Sequence, residues 1–358
     1  MTLPAVVSRF VRLYVLSPET IVFGVLLLIV YNSVNHVRPL RKLVQRARVS
    51  LQLRFRGQNY NASNDSTDFD DTSDVAADKD RASWELKRDN AAVFAIQGRR
   101  QHMEDRFNVV TDLEHTGASI YGIFDGHGGE FAADFVEKTM FKSIMIRLLR
   151  GAPGETQNIS SILTEEVLEV DRQLLAIARS NMEISGTTAL LALVKGTVLT
   201  VANVGDSRGV ICDKHGKMIP LSFDHKPHQM KERKRIQQAG GFVSFNGVWR
   251  VAGVLATSRA LGDLPLKDKR FVTAEPDILT FDLRDMEPQF MILATDGLWD
   301  CFSSEEAVDY IKERLSEPHF GAKSLVMQAY YRGSVDNITV MVVNFQKKRA
   351  SHVRKWSQ

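Results

Sequence analysis

Tyr121-Gly-Ile-Phe-Asp125-Gly-His127-Gly-Gly129 runs from an apolar stretch directly into an aspartate followed by glycine. The pattern returns in Phe290-Met-Ile-Leu-Ala-Thr-Asp296-Gly297, and in reverse order in Asp336-Asn-Ile-Thr-Val-Met-Val-Val343. Each apolar run has the length and composition of a buried strand, and an isolated carboxylate at the end of such a strand is costly to desolvate. Divalent cations held by several aspartates compensate that charge and can activate a water. Three carboxylates so placed point to ligands for hard metal ions and to metal-assisted phosphoryl hydrolysis. Glycine after Asp125 and Asp296 lets the backbone approach an ion, so that a carbonyl can join its shell. One Asp-Gly pair alone is an ordinary turn signal; the combination carries the reading.

Working outward, short β-type runs occupy 91–97, 107–111, 119–124, 187–194, 197–204 and 209–212. Lys195-Gly196 and Asp213-Lys-His-Gly-Lys217 are hairpin-like connections, so antiparallel pairing is expected. Helical patterns cover 130–149, 159–179, 227–239, 303–315 and 322–332. Ser303-Ser-Glu-Glu306 has capping-box spacing and Gly240-Gly241 marks a helix stop. Strand groups separated by helix pairs predict an α+β domain with sheets at the centre and helices outside.

The 358 residues are 44% hydrophobic, enough for a substantial core. The net charge of +3 conceals an asymmetry: residues 1–56 carry nine Lys/Arg against one acid, and residues 57–85 carry eight acids against two bases. Cys212 and Cys301 lack metal-type spacing, so neither a zinc site nor a disulfide framework is suggested and a reducing compartment fits best. Between Arg12 and Arg38 the only formal charge is Glu19, and Ile21 to Tyr31 is densely apolar, so residues 13–37 are a candidate transmembrane helix. A presequence or cleaved signal peptide is the alternative. Seven basic residues from Arg38 to Arg56 follow the span against two before it, which places the C-terminal part in the cytosol. Asn337-Ile-Thr339 agrees, because a glycan on that sequon would obstruct the proposed metal site. The expected division is an anchor with basic flank over 1–56, a disordered acidic linker over 57–84, a catalytic domain over 85–347 and a basic tail over 348–358.

Arg99-Arg100-Gln-His-Met-Glu104-Asp105 sets guanidinium groups beside two acids, an arrangement suited to holding phosphate next to an activated water. Eight stretches then occur in order: Arg100-x-x-Met-Glu-Asp105, Phe124-Asp-Gly-His-Gly-Gly129, Gly186-Thr-Thr188, Gly205-Asp-Ser-Arg208, Asp224-His-Lys-Pro227, Ser258-Arg-Ala-Leu-Gly-Asp263, Asp296-Gly-Leu-Trp-Asp300 and Asp336-Asn337. Together, over about residues 91–345, they resemble the motifs of the metal-dependent protein phosphatase 2C family. The hydrophobic N-terminus and the stretch from Lys231 to Asn246 look most similar to its membrane-anchored epsilon branch.

The resemblance implies a central antiparallel β-sandwich flanked on both sides by helices, with two Mg²⁺ or Mn²⁺ ions in a cleft at one edge. It implies that Asp125 bridges the ions, that Asp296 and Asp336 complete one site, and that the Gly126 carbonyl and, through water, Glu104 serve the other. Asp105 would orient or deprotonate the attacking water, Arg100 would hold the phosphate, and His127 would protonate the leaving oxygen. Asp206 and Asp300 match positions of a weaker third metal. The implied partners are phosphoserine and phosphothreonine proteins, among them stress-activated kinases, and the implied location is the endoplasmic reticulum membrane with the enzyme in the cytosol as a monomer. A phosphoprotein-binding pseudophosphatase is the alternative, against which the intact aspartates argue. The nearly neutral catalytic part has no basic stripe with interleaved aromatics, so no nucleic acid is expected. His225 reads as an ordered loop residue, and Lys231 to Arg235 as a solvated helix face.

Overall fold

The computed structural model describes residues 82–150 and 157–346. The candidate anchor, nearly all of the acidic linker and the basic tail lie outside the described residues. Among the described residues no helix is long and apolar enough to cross a membrane.

Two antiparallel sheets carry the architecture. One has six strands in the order β1 (Ser83–Arg88), β2 (Ala91–Ile96), β16 (Ile338–Asn344), β15 (Phe290–Ala294), β9 (Arg208–Cys212) and β10 (Met218–Pro220). The other has five, ordered β14 (Asp277–Asp282), β8 (Val198–Val204), β7 (Ala189–Lys195), β4 (Ala118–Phe124) and β3 (Arg106–Val110). Both hairpins expected from the sequence form: Gly196, with φ of 61°, turns β7 into β8. Between β9 and β10, Asp213 Oδ1 accepts from the amides of His215 and Lys217, both at 2.8 Å.

The central strands read as continuous apolar runs because both of their faces are covered. In β15, Met291 and Leu293 enter a core shared with Tyr121 and Ile123 of β4, Leu190 and Ala192 of β7, and Met341 and Val343 of β16. Their neighbours Phe290, Ile292 and Ala294 face the other way, against the helices Ser304–Arg314 and Ala322–Tyr331. Across the sandwich, Ile120 and Phe124 of β4 with Leu191 and Leu193 of β7 pack under the helices Phe131–Arg150 and Ile159–Asn181. Period-two alternation thus divides the central strands between a central and an outer core. Gly122 lets the helix Phe131–Arg150 close on the sheet: a Cβ there would meet the Phe141 ring at 2.6 Å.

Local signals placed the helices well. Ser303 Oγ accepts from the Glu306 amide at 3.2 Å while Glu306 Oε2 accepts from the Ser303 amide at 2.9 Å, a complete capping box. The helix expected over 227–239 is shorter, Met230–Gln238, and stops before Gly240 at φ of 83°. β1 begins at Ser83, inside the stretch assigned to the linker, because backbone pairing with β2 extends to Ser83 opposite Ile96. Both cysteines are free; Cys212 is buried in the helix-side core.

Candidate active site

The carboxylates singled out in the sequence meet at one rim of the sandwich, where β4 and β15 end and β16 begins. Asp125 follows β4, Asp296 opens a single helical turn (Asp296–Trp299) after β15, and Asp336 immediately precedes β16. The Asp296 amide lies a loose 3.5 Å from Asp125 Oδ2. Glycine permits the apposition: a Cβ on Gly297 would collide with the Asn337 carbonyl oxygen, and one on Gly126 with that of Glu104.

Each segment is fixed by contacts between distant parts of the chain. Asp125 is clamped through its backbone, its amide donating to Thr188 Oγ1 at 3.0 Å and its carbonyl accepting from the Thr188 amide at 2.9 Å. Asn337 Oδ1 accepts from the Glu104 amide at 2.8 Å, while Asn337 Nδ2 donates to the carbonyls of Gln97 at 2.7 Å and His102 at 2.9 Å. Arg106 ties the same turn to the helix Phe131–Arg150, reaching the carbonyls of Met103 and Asp105 from one side and Asp134 at 2.6 Å from the other. Asp105 is buried, with Oδ2 accepting from Thr339 Oγ1 at 2.7 Å and from Thr295 Oγ1 at 3.0 Å.

Of the two neighbouring guanidiniums, only Arg100 belongs to the rim, its Nη2 lying 2.5 Å from Asp336 Oδ2. Arg99 turns away to the carbonyl of Ser334 at 2.5 Å and stacks 4.7 Å over the Tyr330 ring. His127 Nε2 meets Asp263 Oδ2 at 2.8 Å. Burial opposes the imidazolium, yet the Asp263 hydrogen bond and charge raise its pKa overall. Lys226 Nζ lies 2.7 Å from Asp206 Oδ2, and Arg208 grips Asp224 with two hydrogen bonds of 2.9 and 2.8 Å. Asp300 sits on the exposed side of the rim.

The rim is electrostatically strained. Burial, followed by the charges of Asp296, Asp105, Asp206 and Asp336, pushes the Asp125 carboxyl well above the usual carboxylate range. Asp296 is driven well up by burial and then by Asp206, Asp336 and Asp300. For Asp105, burial and the Asp336 charge outweigh the two threonine hydroxyls and raise it to about 7. An all-oxygen, anionic donor set with so little positive charge in it fits Mg²⁺ or Mn²⁺ and does not resemble a thiolate or imidazole site. Among the described residues no three carboxylate, imidazole or thiolate groups converge into a finished cage. The disposition of Asp336 accounts for part of this: Oδ2 is taken by Arg100, and Oδ1 accepts from the Asn337 amide at 2.7 Å.

All ten residues proposed from sequence are thus within the described part of the chain: Asp125, Asp296, Asp336, Asp105, Asp206, Asp300 and Arg100 act on one another at this rim, Glu104 is held beside them by Asn337 and abuts Gly126, and His127 feels the charges of Asp206 and Glu104. Thr188, Thr295, Thr339 and Asn337 were not assigned roles from sequence. Their partners lie some 60 to 240 residues away along the chain, and only Thr295 beside Asp296 and Asn337 beside Asp336 were hinted at by their position.

A two-sheet sandwich with a clustered carboxylate rim of this kind is the framework of a metal-dependent phosphatase. Residues 90–338 match the family model described as Protein phosphatase 2C. The chain is 49% identical over 350 residues to Protein phosphatase 1L of Bos taurus, covering 97% of this chain and 96% of that one. It is 43% identical over 257 residues to Probable protein phosphatase 2C 59 of Arabidopsis thaliana, covering 72% and 79% respectively. A serine-threonine phosphatase 2C from Toxoplasma gondii shares the fold with a TM-score of 0.64 at 24% identity, over 74% of this chain and 99% of that chain. A C. elegans sex determining protein shares it with a TM-score of 0.65 at 22% identity, over 72% and 65%. This chain belongs to the protein phosphatase 2C family. It is a protein serine/threonine phosphatase, and the catalysis of its family depends on Mg²⁺ or Mn²⁺.

Proposed function

We propose that this chain is a membrane-anchored phosphatase that hydrolyses phosphoserine and phosphothreonine by direct attack of water at a two-ion centre. The observation that carries the reading is Asp125, a buried rim carboxylate under the charges of Asp296, Asp105, Asp206 and Asp336. Asp125, Asp296 and Asp336 would hold one ion, and Asp125 with the Gly126 carbonyl and, through water, Glu104 the other. Bound Mg²⁺ or Mn²⁺ supplies charge neutralisation and a more acidic water. Asp105, with one oxygen fixed by Thr295 and Thr339, orients the attacking water and receives its proton. Arg100 releases Asp336 to hold the phosphate oxygens. His127, set by Asp263, donates a proton to the departing serine or threonine oxygen.

The anchor rests on the apolar stretch at 13–37 and on the basic flank after it. Asn337 is 4% exposed with both ends of its side chain hydrogen-bonded, so a glycan there would be incompatible with the packed rim, a conflict that a cytosolic domain avoids. Stress-activated kinases at the endoplasmic reticulum are the substrates and place this reading favours. The test is phosphate release from a phosphothreonine peptide with Mn²⁺, with chelator, and with Asp296→Asn. Turnover that needs metal and vanishes in the variant is expected. A folded, metal-binding chain without turnover would leave a phosphoprotein-binding scaffold instead. Protease protection of a C-terminal tag on sealed microsomes would overturn the topology.

A further inference from the structure

We propose that Lys226 is the resident counter-ion of Asp206 and sets how tightly the rim takes up its third divalent cation. The inference rests on the reading of Asp206 and Asp300 as that cation's ligands. Lys226 is not a roaming surface lysine. The residue before it is locked in place: the His225 amide donates to the Gly205 carbonyl at 2.9 Å, and His225 Nδ1 accepts from the Gly205 amide at 3.0 Å. Its carbonyl accepts from the Ser258 amide at 2.8 Å, and Pro227 follows. The preceding Asp224 is gripped by Arg208. The loop is therefore pinned to Gly205, next to Asp206, and delivers the Lys226 ammonium to Asp206 Oδ2 at 2.7 Å.

Asp206 is 5% exposed, so its charge must be compensated inside the protein. Lys226 does this before any third ion arrives. The same ammonium acts electrostatically on Asp296 and Asp300, so its charge extends over the space those carboxylates border. A divalent cation entering between Asp206 and Asp300 must displace the ammonium from Asp206 or share the carboxylate with it, and it meets like charge in either case. The first two ions, held by Asp125, Asp296, Asp336 and the Glu104–Gly126 side, take no ligand from Lys226. The rim's other cation, Arg100 on Asp336, has a half-exposed side chain, whereas Lys226 is pinned against the buried Asp206, so this corner fills less readily than the others.

The test is calorimetric titration of the full chain with Mn²⁺, with bound ion counted by electron paramagnetic resonance. Lys226→Met and Lys226→Gln should leave the two tight sites as they are and tighten the third about tenfold or more, the effect of removing one close like charge. Lys226→Arg should keep it weak, and Asp206→Asn added to Lys226→Met should abolish the gain. An unchanged or weaker third site in both neutral variants, beside two intact tight sites, would overturn the role of Lys226 alone; so would a gain that survives Asp206→Asn. A wild-type chain without two tight sites would instead defeat the proposed two-ion function, and this inference with it.

Discussion

His127 and Asp263 meet at 2.8 Å, Nε2 to Oδ2, beside a short three-stranded sheet formed by β5 (Gly126–His127), β6 (Gly186–Thr187) and β13 (Leu261–Gly262). Gly186 faces both groups, and a Cβ there would strike the imidazole and the carboxylate together. Asp263 thereby fixes the ring, and Gly186 makes room for the pair.

If Asp263 acts by positioning His127 as a proton donor, its loss should be felt only where the leaving group needs a proton. Asp263→Asn is expected to lower kcat on a phosphothreonine peptide about 10- to 100-fold, the usual scale for an orienting partner. With p-nitrophenyl phosphate, whose phenolate leaves unaided, kcat should hold within about threefold. Equal losses on both substrates would show that Asp263 serves the fold and not the proton transfer.

Arg99 and Arg100, adjacent in sequence, should separate cleanly. Arg100→Ala is expected to raise KM for the phosphopeptide about tenfold or more by removing a charged phosphate contact, with the urea midpoint unchanged. Arg99→Ala should cost about 1–2 kcal/mol of stability through its carbonyl and ring contacts, with KM nearly unaltered. The reverse assignment of effects would contradict the geometry.

In chelator, stability should peak in mild acid. The Asp105 carboxyl is raised from 3.8 to about 7, first by burial, so its contribution is complete below pH 3.8 and is lost as pH rises through about 7. Burial also pushes Glu232 up, but the hydrogen bonds and charge of Arg259 prevail and hold it at about 2. Its contribution is present above the ordinary 4.5 and is lost as pH falls through about 2. Urea midpoints should therefore be highest near pH 4–5 in chelator and move towards neutrality with Mn²⁺. Asp125→Asn should stabilise the chelated protein at pH 8 by about 1–3 kcal/mol while abolishing turnover. A chelated protein that gains stability steadily up to pH 8 would refute the account of the rim.

Gly297→Ala tests the close approach of the two loops. The new methyl must displace the Asn337 carbonyl, which is expected to cost about 1–3 kcal/mol as overpacking. Since Asp296 and Asp336 flank the contact, Mn²⁺ affinity should fall as well. Full metal affinity in the variant would mean that the loops are free to part.

The sequence announced Asp125, Asp296 and Asp336 because a carboxylate after an apolar run is physically conspicuous. It announced antiparallel pairing through Gly196 and the Asp213 turn. It did not announce β1, whose Ser-Trp-Glu-Leu-Lys-Arg alternates through only two apolar side chains on an almost wholly exposed edge, nor the two-residue strands β5, β6 and β13, which are too short to have a period. Glu232 was concealed differently. Lys231, Arg233 and Lys234 form the solvated helix face their charges imply, yet Glu232 among them is 2% exposed and paired with Arg259. Charge composition cannot tell a buried ion pair from a wet one. The threonines on Asp105 depend on sheet register, which no local pattern encodes.

That register has an unusual guardian. In a sheet with one wet face, sliding a strand by one residue exposes its apolar side chains and is rejected at once. β15 and β16 are apolar on both faces, so a slipped alignment would still bury oil against oil. What distinguishes the true alignment is polar and lies at the strand ends: the Thr295 amide donating to the Thr339 carbonyl at 3.1 Å, the Thr339 amide donating to Thr295 Oγ1 at 3.1 Å, and both hydroxyls meeting on Asp105. The residues that assemble the reactive rim are also the key by which the two central strands find their proofread alignment, so errors in pairing and errors in chemistry are screened by the same three side chains.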